Sequence, residues 1–341
     1  MCFENFATRQ AVSATAAAMV VLEFFERWRT REAAIAHFAR FTPGSVRQTI
    51  RQLLSHRLLL SEGSPEETLD RRIAKEWSPW LPEAGFHFAT KDVSYLPSDA
   101  NIEERLATLP NTPQPQKFKS VRGAARVALP ARSFPNREFI HVLMGRKTHR
   151  EFSEQPISLQ SVSQLLSLVW GVTDYLYSPV FGRLSRKTSP SGGARHPGEV
   201  YLMALRVKGL RRGLYHYHPL RHRLETIRSG ATAAQATRYC ANATHVGKAA
   251  ALFLMTAVFP RTMWKYRNPR AYRVVLLDAG HLCQTFCLVA TWLGLAPFCT
   301  AALKDTLIER DLGIDGVRES VLYVAGVGAR AREHKAERSR R

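Results

Sequence analysis

Three side chains that can bind a phosphate occupy every second position between residues 146 and 150. Arg146, Thr148 and Arg150 point to the same side if this segment is extended. Two guanidinium groups and a hydroxyl can hold a phosphate through paired hydrogen bonds. On spacing alone, a solvated basic loop is the more ordinary explanation, so the segment is a candidate anion site and no more.

A second candidate segment is a run of small residues behind a proline, Pro190-Ser191-Gly192-Gly193. Without bulky side chains, the backbone can approach a flat ligand closely. Tight turns use glycine pairs as well, and a turn is the commoner explanation for this run taken by itself.

The elements that must position these residues follow from hydrophobic periodicity. Helical spacing alternates with short apolar runs typical of buried strands, which predicts an α+β domain with a mixed sheet and flanking helices over residues 136–330. The predicted helices cover residues 138–146, 158–172 and 271–294, and the predicted strands cover residues 199–207, 251–258 and 319–328.

The predicted helix at 271–294 is apolar on nearly every side. It should therefore be buried centrally or at a subunit interface, which favours a homodimer. Gly294 suits the C′ position that ends it. Within it, Cys283 and Cys287 have no second pair of metal ligands, and we interpret them as core residues.

Residues 1–65 have the pattern of a winged-helix-like module, with short helices followed by a strand and turn at LLLSEG. Thr42-Pro43 is a good start for its third helix. Arg47 and Arg51 lie on one face of that helix, which would suit DNA, although a structural or peptide-holding role fits equally well.

Residues 66–135 are rich in Pro, Glu, Ser and Arg and are predicted to be a connecting region that contains the domain boundary. The apolar island at 86–92 is expected to form a helix or strand that packs against the next domain. Residues 331–341 read as a basic tail.

The composition limits the class of protein. The formal charge of +21 fits nucleic acid, an anionic membrane, an acidic partner or an anionic cofactor, and composition does not choose among them. Five cysteines without a CxxC pair fit a reducing cytosol and indicate neither a disulfide framework nor a zinc finger. We expect no signal peptide, no membrane-spanning segment, no Rossmann motif and no phosphate-binding Walker loop.

Taken together and in order, these motifs resemble the flavin-binding nitroreductase superfamily, and SPSGGARHPGEVYL with GLYHYHPLRHRLETI resembles its SagB-type branch of azoline dehydrogenases. The resemblance covers roughly residues 140–330 and implies an FMN cofactor. Nitroreductases often carry Asn where this chain has Ala194, so that ring contact must come from elsewhere. The residues implied for FMN are Arg146, Thr148, Arg150 and Arg330 at the phosphate and ribityl chain, and Pro190, Ser191, Gly192, Gly193, Gly294 and Leu295 near the ring.

Azoline dehydrogenases also carry a Lys-Tyr pair, which this chain matches with Lys265-Tyr266. Aromatising an azoline removes a proton from one ring carbon and a hydride from its neighbour, so a base is required. To serve at neutral pH, a lysine pKa must fall by about 3 from its ordinary value of about 10.4, and Arg261 is one cation that would favour this. The alternative is a surface loop with a solvent-reaching lysine.

The resemblance implies oxidation of thiazolines or oxazolines in a ribosomally synthesised, post-translationally modified peptide. It implies a precursor peptide and a cyclodehydratase as partners, and a homodimer with each flavin near the subunit boundary. We expect a cytoplasmic protein with no specific nucleic acid and no membrane partner. Two alternatives stay open: another flavin-dependent peptide redox reaction, such as Cα–Cβ desaturation or dehydroamino-acid reduction, and a winged-helix binding protein with a degenerate flavin domain.

Overall fold

Three short helices form the N-terminal part of the chain. The computed structural model describes residues 2–5, 10–13, 15–92, 103–104, 138–179 and 182–331. A hairpin of β1 (Cys2–Asn5) and β2 (Gln10–Ser13) precedes α1 (Ala16–Phe24), α2 (Arg31–His37) and α3 (Pro43–Ser55). Their shared apolar core contains Val21, Ala34, Phe38, Val46, Ile50 and Leu53.

The predicted N-terminal helices are confirmed, but the strand predicted at LLLSEG is wrong. The Thr42 side chain caps α3 as expected, with Pro43 at its first position. The amides of Leu58 and Leu59 bond to the Leu53 carbonyl, so they close the end of α3 instead of entering a strand pair. The strand expected after the third helix is not formed. The assignment of residues 1–65 to a winged-helix-like module therefore stays a prediction.

Part of the predicted connecting region is helical and well packed. It contains α4 (Pro65–Glu76), a 3₁₀ turn (Ser78–Trp80) and α5 (Leu81–Ala89). The apolar island at 86–92 begins within α5, as a helix that packs against the following domain, which was one of the two structures expected for it. The interpretation of residues 66–135 as a connector is therefore wrong at its N-terminal end, because Trp77 and Trp80 are fully buried there.

The following domain alternates helices and strands as its sequence pattern predicts. The α+β class and the three predicted strands are confirmed. Its elements are α6 (Glu138–Gly145), β3 (Phe152–Ser153), β4 (Ile157–Ser158), α7 (Leu159–Trp170), β5 (Asp174–Ser178), β6 (Gly182–Arg186), β7 (Gly198–Ala204), β8 (Val207–Lys208), β9 (Gly213–His218), β10 (Arg223–Ser229), α8 (Ala233–Tyr239), α9 (Thr244–Gly247), β11 (Ala251–Val258), α10 (Phe259–Met263), α11 (Ala271–Trp292), β12 (Leu295–Thr300), α12 (Asp305–Leu312) and β13 (Glu319–Arg330).

One large sheet forms the centre of this domain, with the strand order β10-β9-β7-β11-β13-β12 and β3 paired to the end of β13. Every pairing in it is antiparallel, so among the described residues the expected mixture of directions is limited to the separate parallel pair β4 and β8. Successive residues of a strand point to opposite faces. Val200 and Leu202 accordingly enter one core with α7 and α11, whereas Tyr201 and Met203 enter the other with α8 and α12.

Helix α11 covers one face of the sheet and ends as predicted. Leu282 and Phe286 enter the core, and Gly294 follows the helix with a φ of 71°, the left-handed conformation typical of a C′ glycine. Its 22 residues are long and apolar enough to cross a membrane, contrary to our expectation that no segment is. Its contacts with the sheet identify it as a core helix, while Leu276 and Leu277 stay exposed on its outer side.

Candidate active site

The run of small residues is fixed to α11 by one carboxylate. The Ser191 hydroxyl donates to Asp278 Oδ2 at 2.5 Å, and the Gly192 amide donates to Asp278 Oδ1 at 3.4 Å. The His196 amide in turn donates to Ser191 Oγ at 2.9 Å. Burial raises the pKa of Asp278, and the hydrogen bonds from Ser191 and Gly192 act in the opposite direction. These bonds hold the loop in one position over the helix.

Our sequence analysis missed Asp278. The signal was present, since it is the single acidic residue within the apolar run of α11, and it is 5% exposed. A buried carboxylate needs hydrogen-bond donors, but their identity depends on a loop far away in sequence.

The predicted catalytic pair lies directly against this loop. If Gly193 carried a β-carbon, that atom would clash with the Tyr266 hydroxyl and would lie 2.7 Å from Lys265 Nζ. The ends of both side chains therefore lie against Gly193. The indole of Trp80, the residue just before α5, donates to the Tyr266 carbonyl at 3.0 Å. This bond holds the backbone of Lys265 and Tyr266. Lys265 and Tyr266 are half-buried. The structure therefore brings Pro190, Ser191, Gly192, Gly193, Lys265 and Tyr266 together, and we call them the loop group.

Arg261 has a different environment from the one we expected. Its guanidinium pairs with Glu199 and donates to the His196 carbonyl at 3.2 Å. Glu199 also accepts from His216 Nε2 at 2.8 Å. Burial alone would raise the pKa of Glu199, but the hydrogen bonds and charges of His216 and Arg261 lower it. The described contacts of Arg261 are thus with Glu199 and His196, and burial together with the charge of Arg261 lowers the pKa of Lys187 and of His196.

A cavity of about 860 Å³ opens beside the same loop. Burial lowers the pKa of Lys187, which lines it. Our sequence analysis singled out neither Lys187 nor Glu199 here, because an isolated charged residue next to a strand has no distinctive spacing. Further lining residues are Arg183, Arg195, His196 and His216.

The remaining predicted cofactor residues gather at the opposite end of α11. The His149 amide, between Thr148 and Arg150, donates to the Pro297 carbonyl of β12 at 2.9 Å. Arg330 donates to the Leu295 carbonyl at 3.3 Å and is the register partner of Phe152. We call Arg146, Thr148, Arg150, Gly294, Leu295 and Arg330 the arginine group.

Two guanidinium groups in the arginine group have no acidic partner among the residues that the structure describes. Within the described ranges, no carboxylate forms an ion pair with Arg146 or Arg150. Burial and the positive charge of Arg150 both lower the pKa of His245. The charge of Arg150 therefore acts on nearby groups. An unpaired guanidinium pair suits an anion.

The two groups are separated within one chain. Two positions on α11 mark the two groups. Asp278 contacts the loop group. Thr291 lies near the arginine group, because its side chain is 3.9 Å from where a β-carbon of Gly145 would be, and Gly145 precedes Arg146. With a rise of about 1.5 Å per residue, these helix positions are roughly 20 Å apart. The structure therefore does not bring all predicted cofactor residues to one place, and their roles in binding stay predictions.

Comparisons with known proteins fit this architecture. The pattern of the Nitroreductase family matches residues 143–329. The trifolitoxin-processing protein TfxB of Rhizobium leguminosarum bv. trifolii is 33% identical over 170 residues, which cover 49% of this chain and 46% of TfxB. The microcin B17-processing protein McbC of Escherichia coli is 30% identical over 138 residues, which cover 38% of this chain and 49% of McbC. The chain thus matches about half the length of these relatives.

A solved structure extends the fold comparison. A chain of the E. coli microcin synthetase McbBCD complex with truncated pro-MccB17 bound superposes with a TM-score of 0.50 and 21% identity. The match covers 79% of this chain and 95% of that one, and it shows a shared fold. The family match spans more than half of the chain and includes α11, the sheet up to Ala329, and both groups of site residues except Arg330. The chain therefore belongs to the nitroreductase family.

Proposed function

We propose that this protein is an FMN-dependent dehydrogenase that oxidises thiazoline or oxazoline rings to thiazoles or oxazoles in a ribosomally made peptide. The observation that carries the proposal is the contact of Lys265 and Tyr266 with Gly193 in the loop group. An amine and a hydroxyl thus lie beside the loop of small residues, and we propose them as the base and as the group that orients the ring. The names of TfxB and McbC, both peptide-processing proteins, support a peptide as the substrate.

The residues present suit FMN. Arg146 and Arg150 offer guanidinium groups without an acidic partner among the described residues, and a phosphate can bridge such groups bidentately. Arg330 lies at the same end, on the last strand. At the other end, Gly192 and Gly193 carry no side chains of their own, and the space at their β-carbon positions is taken by Val274 and by the Lys265-Tyr266 pair. Bound FMN would accept the hydride that aromatisation releases.

The chain's own residues would handle the proton. Lys265, in its neutral form, would accept the proton from the azoline ring carbon, and the Tyr266 hydroxyl would orient the ring by hydrogen bonding. Asp278 would keep the loop under the substrate through Ser191 and Gly192. Trp80 would hold the Lys265-Tyr266 backbone through its bond to the Tyr266 carbonyl.

A homodimer would resolve the separation of the two groups. In a two-fold symmetric pair whose α11 helices cross in opposite directions, the loop group of one chain would approach the arginine group of the other. Leu276 and Leu277 on the outer side of α11 are 40% and 60% exposed, which is a suitable surface for such a contact. Each flavin would then lie at the subunit boundary.

The excess of positive charge suits an acidic peptide or partner enzyme better than specific DNA. Arg47 and Arg51 alone make a thin base-reading surface, and the other basic residues are scattered along the chain. We propose a cyclodehydratase as the partner that supplies the azoline, and a cytoplasmic location in which both enzymes meet the precursor peptide.

A defined substrate tests the function. The flavin-loaded protein is incubated with a synthetic peptide that carries one thiazoline or one oxazoline, and the product is analysed by mass spectrometry. We expect loss of two hydrogen atoms from the ring, and none with Lys265→Ala. If azoline peptides stay intact while an unmodified peptide is desaturated at Cα–Cβ, the ring-oxidation proposal is wrong and the desaturase alternative replaces it.

A further inference from the structure

Three cysteine thiols converge at the C-terminal half of α11. Cys283 and Cys287 lie one helical turn apart, and Cys299 comes from β12, the strand that follows the helix. No two of the three sulfurs are more than 4.8 Å apart. Our sequence analysis interpreted the helix pair as core residues without further ligands. Their burial is confirmed, and among the described residues one further thiol, not a second pair of ligands, joins them, because β12 returns along α11.

We propose that Cys283, Cys287 and Cys299 bind one thiophilic d¹⁰ cation, with Zn²⁺ as the probe ion. A tetrahedral site with Zn–S distances of about 2.3 Å has sulfurs roughly 3.8 Å apart. The three thiols need to approach by no more than roughly 1 Å to meet this geometry. Two ligands four residues apart on one helix face is a spacing that zinc sites use.

A disulfide between the two helix cysteines does not suit the geometry of α11. Residues four apart on a helix have β-carbons about 5–6 Å apart, whereas a disulfide needs about 3.5–4.5 Å. Cys283 and Cys287 therefore cannot be joined without distorting α11. Two sulfurs at that spacing can nevertheless reach one ion between them, and Cys299 closes the third side.

The surroundings of the thiols support a charged centre. The Tyr323 hydroxyl donates to Cys299 Sγ at 3.3 Å, as hydrogen-bond donors commonly do toward metal-bound ligands. Binding would release the three thiol protons to solvent.

Access to the site comes from the strand side. Cys283 and Cys287 are 3% and 6% exposed, whereas Cys299 is only partly buried. An ion would enter beside Cys299 and leave its fourth coordination position for water. Once bound, it would tie the C-terminal half of α11 to β12, the strand that carries Leu295 of the arginine group.

The test uses the full chain, purified under reducing conditions, stripped with chelator and mixed with Zn²⁺. We expect one zinc per chain by elemental analysis after gel filtration, both in the wild type and in Cys240→Ser, which removes a buried cysteine elsewhere. Cys299→Ser should lose the zinc, and Tyr323→Phe should weaken its binding about 10–100-fold. Zinc retained by Cys299→Ser, or absent from the wild type, overturns the proposal.

A spectroscopic arm decides the question even if Cys299→Ser does not fold. Co²⁺ added to the wild-type chain should give thiolate-to-metal charge-transfer absorption, which Zn²⁺ then displaces. Absence of these bands, or a disulfide that leaves fewer than three free thiols in the cluster under reducing conditions, would also reject the site. Neither measurement requires flavin or peptide, so the result is independent of the proposed dehydrogenase activity.

Discussion

Lys265 Nζ lies 2.7 Å from the position that a β-carbon would occupy at Gly193. Gly193 also has a φ of 60°, a conformation that residues with a side chain rarely adopt. The backbone conformation therefore favours glycine, and the space at its β-carbon position is taken by the ends of two side chains. An added methyl group would both strain the loop and displace Lys265 and Tyr266.

Gly193→Ala should lower turnover on an azoline peptide by on the order of 100-fold, because a displacement of about 1 Å at a reacting group has this effect. Gly230→Ala is the matched control, since Gly230 has a φ of 83° and open space at its β-carbon position. Steady-state rates for both variants separate backbone strain from displacement of the pair. Equal rates for both variants would mean that the contact has no catalytic role.

Lys265→Ala and Tyr266→Phe should each reduce turnover ~10²–10⁴-fold while FMN stays bound, since these side chains are proposed to act on the substrate proton. Lys208→Ala, at an exposed position, is the control. Near wild-type turnover in Lys265→Ala would remove the catalytic assignment.

Replacing Arg146 and Arg150 together by Ala should lower FMN affinity by ~100-fold or more, because each charge-assisted hydrogen bond contributes about 1.5–3 kcal/mol. Replacement by Lys should restore only part of it, since an ammonium group cannot bind bidentately. Flavin content is read from absorbance after gel filtration. The double Ala variant of Arg47 and Arg51, which are exposed on α3, controls for lost charge. Full retention of FMN would contradict the assignment.

The protein should be a homodimer at low micromolar concentration, and Leu277→Glu should convert it to monomer by placing a charge on the outer side of α11. Multi-angle light scattering gives the mass directly. Leu220→Glu is the control, because Leu220 is 67% exposed but lies in the turn between β9 and β10. A wild-type monomer that holds FMN would refute the symmetric arrangement.

The positive charge should favour an acidic leader peptide over duplex DNA. We expect binding to an acidic peptide at physiological salt, and DNA binding that is independent of sequence and disappears as salt rises. Fluorescence anisotropy across a salt series compares the two ligands. Tight, sequence-selective DNA binding at physiological salt would support the nucleic-acid role of Arg47 and Arg51 instead.

Local patterns predicted the strands and helices well where one pattern dominates. The run from Ala251 to Val258 is a strand over the predicted residues, because it is apolar except for Thr256 and buried on both faces. The α11 helix and its terminal Gly294 were equally clear. In these elements the periodicity of side chains determines the structure directly.

Contacts between distant segments were not predictable in the same way. Asp278 depends on donors at Ser191 and Gly192, and Cys299 joins the helix cysteines only because β12 returns along α11. Trp77 and Trp80 lie among residues whose polar composition indicates a connector. Composition indicates only the average tendency of a segment to be exposed or buried. The burial of these two indoles depends on a surface that residues far away in the sequence form, such as Phe259 and Tyr272.

The two indoles also form contacts that the family match does not include. The family match begins at residue 143, yet the Trp77 indole donates to the Val317 carbonyl and the Trp80 indole to the Tyr266 carbonyl. A gene fragment starting at Glu138 would encode every matched residue and still leave both carbonyls without these donors. The residues that match the family and the contacts that hold the Tyr266 backbone therefore have different boundaries, and the segment from Pro65 to Ala89 braces the loop that carries Lys265 and Tyr266.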